Sequence, residues 1–447
     1  MPETGEIKIF RLYKADCKVN DKWLTVLKRF AQLSRMNKAI FISLLTILSV
    51  AATAQNLSQT GVITGADRTT VYFPLLKGKK VAVFANQTSV VGSSHLIDTL
   101  LSAGITVVKI FGPEHGFRGN ADAGQHVGDA RDKKTGIPVI SLYGNHKKPT
   151  IADLADVDLV LFDIQDVGVR FYTYISSLEY VLEACLEHHK PLMILDRPNP
   201  NGFYVDGPVL DKKFKSFIGM QPVPVVYGMT IGEYGLMLAG ENWLSDKANA
   251  ANKYNITTQP TADTPFHVTV IKCKNYDHST KYVLPVMPSP NLKQMQSVYT
   301  YPSTCFFEGT VISEGRGTDH PFQIFGHPTL PKTLFSFTPK PNAGASNSKC
   351  FGLQCYGWNI TGTNDEVLKT INGKIQLKYL LDAYKLFPGK DSFFLKNNFI
   401  DKLAGTDALQ QQVKQGWTEA AIRQSWQPGL DSFKAIRKKY LLYTDFE

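Results

Sequence analysis

The chain has 447 residues, 43% of them apolar, with 49 Lys and Arg against 39 Asp and Glu for a formal net charge of +10. That balance is too apolar for a disordered chain and too mixed for a bundle of membrane helices. At roughly 100–200 residues per domain the length suggests two or three domains with full cores, and six cysteines are too few for a disulfide scaffold.

In chain order, the first pattern is a targeting one. Met36, Asn37 and Lys38 lead into an apolar run over residues 39–52, and Ala52, Thr53 and Ala54 form a small-x-small site before Gln55. A basic start, an apolar stretch of about 7–15 residues and such a site describe a secretory signal peptide, whereas a membrane span needs about 20 residues. Residues 1–35 are therefore read as a non-physiological leader and 36–54 as the signal peptide; the competing reading is a membrane anchor with a basic tail. Residues 1–54 carry nine basic and four acidic side chains, so without them 393 residues and a net charge of +5 remain. That mild balance, with no clustered basic run, argues against nucleic acid as a partner. No lipidation cysteine follows Ala54, so the expected product is exported, periplasmic or secreted, with no stable membrane insertion after cleavage. Five cysteines remain, of which Cys350 and Cys355 are the only close pair. Whether they bridge stays open, as does the oligomeric state.

Short runs rich in Val, Ile and Leu at 80–84, 106–111, 138–142, 158–162 and 192–195 predict strands covered on both faces of a parallel sheet. Between them, 94–103 and 174–188 have helical spacing; in the second, Ile175, Leu178, Val181, Leu182, Cys185 and Leu186 form one stripe. The repeat predicts an α/β fold, an open Rossmann-like parallel sheet with helices on both faces, over residues 55–250. Each strand runs into polar residues at its carboxyl end, where ligands of such sheets lie: Asn86 and Gln87; Glu114 and His115; Tyr143 and Asn145; Asp163, Gln165 and Asp166; Asp196, Arg197 and Asn199. Thr230 with Glu233 fits a capping box, which makes Glu233 structural. After about residue 250 the texture changes: a β-like run at 267–273, many prolines from 285 to 302, a Gly/Ser/Asn-rich passage near 341–348, and helical stretches at 375–386, 418–426 and 430–441. Residues 251–447 are read as a smaller α+β C-terminal domain.

The chemistry narrows by exclusion. There is no GxGxxG after the first strand, no phosphate-binding GxxxxGK[ST] loop, no HExxH and no CxxC pattern, so the expectation is no cofactor and no metal. Four polar runs remain. GPEHGFRG over 112–119 places Glu114, His115 and Arg118 in one glycine-rich turn, where backbone can approach a ligand. FDIQDVGVRFYTY over 162–174 offers Asp163, Gln165, Asp166 and Arg170 for a polar substrate and Tyr172 and Tyr174 as faces for a sugar ring; an Asp166–Arg170 ion pair stapling strand to helix is the structural alternative. LDRPNPNG over 195–202 sends Asp196, Arg197 and Asn199 into a proline-fixed turn, read either as binding residues or as a rigid turn. FEGTVISEGRGT over 307–318 carries Glu308, Glu314 and Arg316 among glycines, with Glu314 the preferred second carboxylate and Glu308 its rival. Two carboxylates on loops of different domains suit acid/base or nucleophilic work on a glycosidic bond; their separation, and so the stereochemical outcome, is not a property of sequence.

Taken together, FGPEHGFRG, TGIPVISLYG, FDIQDVGVRFYTYISSL, LDRPNPNG, YGMTIGE, PSPN and TCFFEGTVISEGRGT, in this order along the chain, resemble the exo-β-N-acetylmuramidases, the NamZ-like glycoside hydrolases of bacterial peptidoglycan recycling. The resemblance extends to the YLLY run at 440–443 and implies an exported hydrolase that removes terminal β-1,4-linked N-acetylmuramic acid from the non-reducing end of peptidoglycan-derived glycans or muropeptides. It also implies a cleft between two domains, with Glu114 and Glu314 as the catalytic pair. The lactyl carboxylate of that sugar suits a bidentate arginine, for which Arg118, Arg170 and Arg316 are candidates. Two rival functions use parts of the same residues: a non-catalytic module binding cell-wall sugars, and a peptidoglycan esterase or amidase, which would need a nucleophile that no GxSxG elbow supplies here.

Overall fold

The Val/Ile/Leu-rich runs do assemble into one mostly parallel sheet, because strands apolar on both faces can only be buried between two layers. The computed structural model describes residues 61–113, 117, 130–251, 256–261 and 266–447. Its large sheet contains β1 (Lys80–Ala85), β2 (Thr106–Gly112), β3 (Ala130–Arg131), β4 (Pro138–Ser141), β5 (Leu159–Asp163), β6 (Leu192–Leu195), β7 (Ile256–Thr257) and β8 (Val268–Ile271). The order across it is β3-β4-β2-β1-β5-β6-β8-β7, with β3 and β4 the one antiparallel pair. The chain thus winds outward from β1 through β2 to β4, returns to β5 on the other side of β1, and winds outward again. This doubly wound order reverses between β1 and β5. Their register, Val81 beside Leu159 and Ala85 beside Asp163, brings both carboxyl ends level at the reversal.

Alternation along the strands divides the core in two. Ala82 and Phe84 of β1 face one layer, where Phe84 stacks on Phe162 at 4.6 Å, while Val81, Val83 and Ala85 face the other. Helices α1 (Thr69–Leu76) and α2 (Leu96–Ser102) supply Tyr72, Leu76, Leu96 and Leu100 to the second layer. On the first face, α3 (Tyr174–Glu187) and α4 (Ile231–Gly240) supply Ile175, Leu178, Leu182, Tyr234 and Leu238. The expected stripe of α3 is buried throughout. The capping box of α4 also forms, Thr230 Oγ1 accepting from the Glu233 amide and Glu233 accepting from the Thr230 amide.

Two elements differ from the sequence expectation. Residues 267–273, grouped with the second domain because of the change in texture, supply β8, which pairs in parallel with β6 and extends the first sheet. The β-like reading of the segment holds, and Val268, Val270 and Ile271 are as buried as the strands before them. The stretches at 418–426 and 430–441 belong largely to one helix over Glu419–Arg437, which passes through Pro428 without ending.

Beyond the sheet, α5 (Met295–Thr304) leads to a three-stranded antiparallel sheet of β9 (Ile324–His327), β10 (Phe335–Phe337) and β11 (Cys355–Asn359), with β11 in the middle. A side chain at Gly357 would meet the Phe325 carbonyl at 1.9 Å, so glycine is obligatory where these strands cross. Helices α6 (Asn364–Ile371), α7 (Lys378–Leu386), α8 (Phe399–Ala404), α9 (Ala408–Lys414) and α10 (Glu419–Arg437) complete the chain. Phe306, Phe325, Trp426 and Phe433 from this part share one continuous apolar core with Phe162 and Leu178 of the large sheet and α3. Among the described residues, no helix is long and apolar enough to cross a membrane.

Candidate active site

At the carboxyl ends of β5 and β6 the polar residues bond mainly to one another and to backbone. Asp163 and Arg197 form a bidentate pair at 2.6 and 2.8 Å, both essentially without solvent exposure, and Arg197 also donates to the Val90 carbonyl at 3.0 Å. Gln165 donates to the carbonyls of Asp166 and Pro198, each at 2.8 Å. Asp166 accepts from the Gly168 amide at 2.6 Å and from the Tyr227 hydroxyl, and burial pushes its carboxyl up to about 6. Asp196 accepts from Thr230 Oγ1 and the Gly232 amide at 2.8 Å and from the Tyr443 hydroxyl at 2.6 Å; burial, with the nearby Glu233 charge, pushes it too up to about 6. Asn199 donates to the Met229 carbonyl and accepts from the Asn201 amide, both at 2.8 Å.

Arg170 has neither partner anticipated for it. Its Nη1 donates to the carbonyls of Pro208 (2.9 Å) and Val223 (2.6 Å), and its Nη2 to that of Leu403 (2.9 Å). The Asp166–Arg170 ion pair does not form, and a fully buried guanidinium spent on three carbonyls has no face for a lactyl carboxylate. Burial lowers its proton affinity to a pKa of about 9. Glu114, His115 and Arg118 lie outside the described residues.

The turn before α3 borders a cavity of about 330 Å³. The turn Arg170–Tyr172 ends at Thr173, whose φ of 76° breaks the chain direction before α3, so Tyr172 and Tyr174 both reach the cavity wall. Their rings meet edge to face at 4.8 Å. Asn86, at the end of β1, donates to the Tyr174 hydroxyl at 2.9 Å and so ties the wall to the reversal point of the sheet. Tyr143 and Phe217 line the cavity as well, and among the described residues Glu308 and Arg316 provide its charged groups.

Glu308 sits in the short helix Cys305–Gly309 that follows α5, and Arg316 in the glycine-flanked turn before β9. Arg316 Nη2 lies 2.6 Å from Glu308 Oε1, and its Nε lies 3.2 Å from Glu314 Oε1. One guanidinium thus holds both carboxylates of the FEGTVISEGRGT run. They are not equivalent. Glu314 is buried at 4% side-chain exposure with Lys349 Nζ at 2.7 Å, whereas Glu308 is 22% exposed and lines the cavity. Burial alone would raise the Glu314 carboxyl, but Lys349 and Arg316 outweigh it and hold it below the usual carboxylate range. Arg316 is held protonated, since its two carboxylates outweigh its burial.

Lys349 was invisible as a site residue in the sequence. It also donates to the carbonyls of Phe307, Thr310 and Ile312 at 2.6–3.1 Å, so one ammonium gathers the segment that carries both glutamates. A lone lysine after a Ser/Asn-rich passage offers no pattern. Phe217, likewise, stands in a loop without a motif. Among the described residues, no group of three or more His, Cys, Asp or Glu side chains is disposed to hold a metal ion.

Aromatic walls with a carboxylate–guanidinium pair, at the carboxyl end of a doubly wound sheet, form a sugar-sized polar cleft. The family models for the N-terminal and C-terminal domains of the exo-β-N-acetylmuramidase NamZ match residues 81–296 and 299–443. The chain belongs to the NamZ family. It is 37% identical to the peptidoglycan β-N-acetylmuramidase NamZ of Bacillus subtilis (strain 168), over 91% of this chain and all of that one. Two crystal structures of DUF1343 family proteins from Bacteroides fragilis NCTC 9343 share the fold. One, at 44% identity, superposes with a TM-score of 0.76 over 86% of this chain and 100% of its own; the other, at 28%, with a TM-score of 0.70 over 86% and 99%. The two NamZ domains meet between residues 296 and 299, at the start of α5, so β7 and β8 fall with the large sheet.

Proposed function

We propose that the chain is an exo-acting β-N-acetylmuramidase that hydrolyses terminal β-1,4-linked N-acetylmuramic acid from the non-reducing end of peptidoglycan fragments. NamZ membership makes it a glycoside hydrolase, and the full-length likeness to a peptidoglycan β-N-acetylmuramidase supports this substrate over a purely sugar-binding module or an esterase. The observation that carries the reading is the cavity that combines Tyr172 and Tyr174 with Glu308 and Arg316. Tyrosine faces suit a sugar ring, and a cavity near the lower end of the usual range of about 300–1,000 Å³ suits one terminal residue better than a long glycan.

Within this proposal Glu308 is the carboxylate of the C-terminal half that meets substrate, because it reaches the cavity while Glu314 lies behind it. Glu314, kept ionised, holds Arg316 from the far side and is unsuited to act as general acid. Glu114 of the GPEHGFRG run remains the proposed partner carboxylate from the N-terminal half. Arg316, shared between two carboxylates, supports charge balance at the site and is a candidate ligand for the lactyl group. Export through the segment 36–54, to the periplasm or beyond, is proposed on its basic start, apolar run and small-x-small site.

The test is kinetic and analytical. Glu308→Gln is expected to lower kcat on a chromogenic muramide by about 10²–10⁴-fold while substrate binding persists. Digested muropeptides should release free N-acetylmuramic acid. Full activity in Glu308→Gln would remove Glu308 from the mechanism, and a product other than the free sugar would remove the proposed reaction.

A further inference from the structure

Phe217 and Ile218 reach the cavity from the tip of a tight hairpin, in which Ser216 and Gly219 exchange two backbone hydrogen bonds of 2.9 Å. The Phe217 ring lies parallel to Tyr180 of α3 at 6.2 Å, 6.3 Å from the Tyr143 ring, with the Lys147 ammonium 5.4 Å above it. Both arms of the hairpin return to one carboxylate on α3. Glu179 Oε1 accepts from Gln221 Nε2 at 2.7 Å, and Lys215 Nζ lies 3.9 Å from the same oxygen. Gln221 Nε2 is fixed a second time, by the Trp243 carbonyl at 2.7 Å.

Glu179 itself is 0% exposed, and its Oε2 has no hydrogen-bond partner among the described residues. A buried carboxylate with one oxygen unsatisfied is unfavourable, and a neutral side chain there would be less so. Fold stability therefore does not explain its presence. The attachment of a cleft-lining hairpin does.

We propose that Glu179 is a positioning residue for the hydrolysis: through Gln221 and Lys215 it holds the 216–219 hairpin so that Phe217 and Ile218 press on the substrate in the cleft. The proposal rests on the cleft being the substrate site. Its charge environment makes the grip dependent on pH. Burial pushes the Glu179 carboxyl up to about 7 against the pull of Gln221 and Lys215, and Glu183, one turn further along α3, adds to the rise. Glu183 is itself paired with Lys148 at 2.9 Å. The other titratable neighbours, Tyr180 and Tyr234, stay protonated because burial and the Glu179 charge both raise them. Ionised, Glu179 attracts Lys215 and accepts strongly from Gln221; protonated, it loses the first attraction and weakens the second. Its folded pKa of about 7 exceeds the ordinary 4.5, so its ionisation costs stability as pH rises through that window. Grip on the hairpin and stability of the fold thus move in opposite directions.

The experiment compares wild type, Glu179→Gln and Phe217→Ala on a chromogenic muramide between about pH 5.5 and 8.5. In wild type KM should fall as pH rises through about 7, and in Glu179→Gln it should sit roughly three- to tenfold higher at alkaline pH without that step, with kcat within about twofold. Phe217→Ala should raise KM and also lose the step, since no ring remains to be positioned. Above pH 7 the melting temperature of Glu179→Gln should equal or exceed that of wild type. Hydrogen exchange across 216–221 reads the same clamp without turnover: protection should rise with pH in wild type and stay flat in Glu179→Gln. Flat protection in wild type, or an unchanged KM step in either variant, would overturn the clamp. A wild type that shows the protection step yet leaves muramides intact would instead overturn the reading of the cleft.

Discussion

Glu308 and Glu314 stand six residues apart and share one guanidinium, yet their surroundings differ. Glu314 is enclosed by Lys349 and Arg316, and removing its charge would leave Lys349 without a carboxylate partner and Arg316 with Glu308 alone at a mostly buried position. Glu314→Gln is therefore expected to destabilise the fold by about 3–5 kcal/mol, measured by urea denaturation at neutral pH. Because its folded pKa is lowered below the ordinary 4.5, its stabilisation is fully present above that value and is lost as pH falls through the lower folded one. The variant should accordingly show a shallower acid limb than wild type; an equally steep limb would mean that other carboxylates dominate there. Sequence brought both glutamates and Arg316 to notice through their glycine-flanked run. On that pattern alone Glu314 is preferred over Glu308; the enclosure that buries Glu314 and leaves Glu308 at the cavity depends on Lys349, 35 residues beyond Glu314 and without any motif of its own.

At the scale of elements, much of the polar content of the strand ends is framework. Arg170 joins the turn before α3 to the carbonyls of Pro208, Val223 and Leu403, three segments distant in sequence. Arg170→Met would keep the packing volume, remove this donor from the Pro208 and Leu403 carbonyls and leave Val223 with the Leu210 amide alone, so a loss of about 3 kcal/mol is expected from chemical denaturation. Asp196 similarly joins the end of β6 to the start of α4 and, through Tyr443, to the carboxyl-terminal residues of the chain. Replacing Tyr443 with Phe should lower the melting temperature by the equivalent of about 1–2 kcal/mol, with the Asp196 carboxylate left one donor short. An unchanged melting temperature would show that this donor is dispensable. The strands and α3 were legible because burial on both faces and a 3.6-residue stripe are local patterns. The partners of Arg170 and Asp196 were not, since a backbone carbonyl is offered by every residue and only the fold selects which one arrives.

Over the whole molecule, the two NamZ domains share a core. Phe171 packs against Tyr301 and Phe306 at 5.4 and 6.0 Å across the boundary, and Arg437 of α10 donates twice to the Gly228 carbonyl. Unfolding should consequently be one cooperative transition, with tryptophan fluorescence and far-ultraviolet dichroism coincident, and a fragment over residues 299–447 should not fold alone. Two resolved transitions would contradict this. Short-range physics makes several features legible in the sequence: apolar strand runs that require a doubly covered parallel sheet, a helix stripe and a capping box. Tertiary packing set which polar residues line the cleft and which are bonded to one another and to backbone. It moved β8 into the first sheet, gave Arg170 to backbone carbonyls, set Glu308 before Glu314, and brought Phe217 to the wall through Glu179. Those outcomes depend on contacts between segments tens to hundreds of residues apart, where burial and the competition for hydrogen-bond partners, not local pattern, determine what each side chain does.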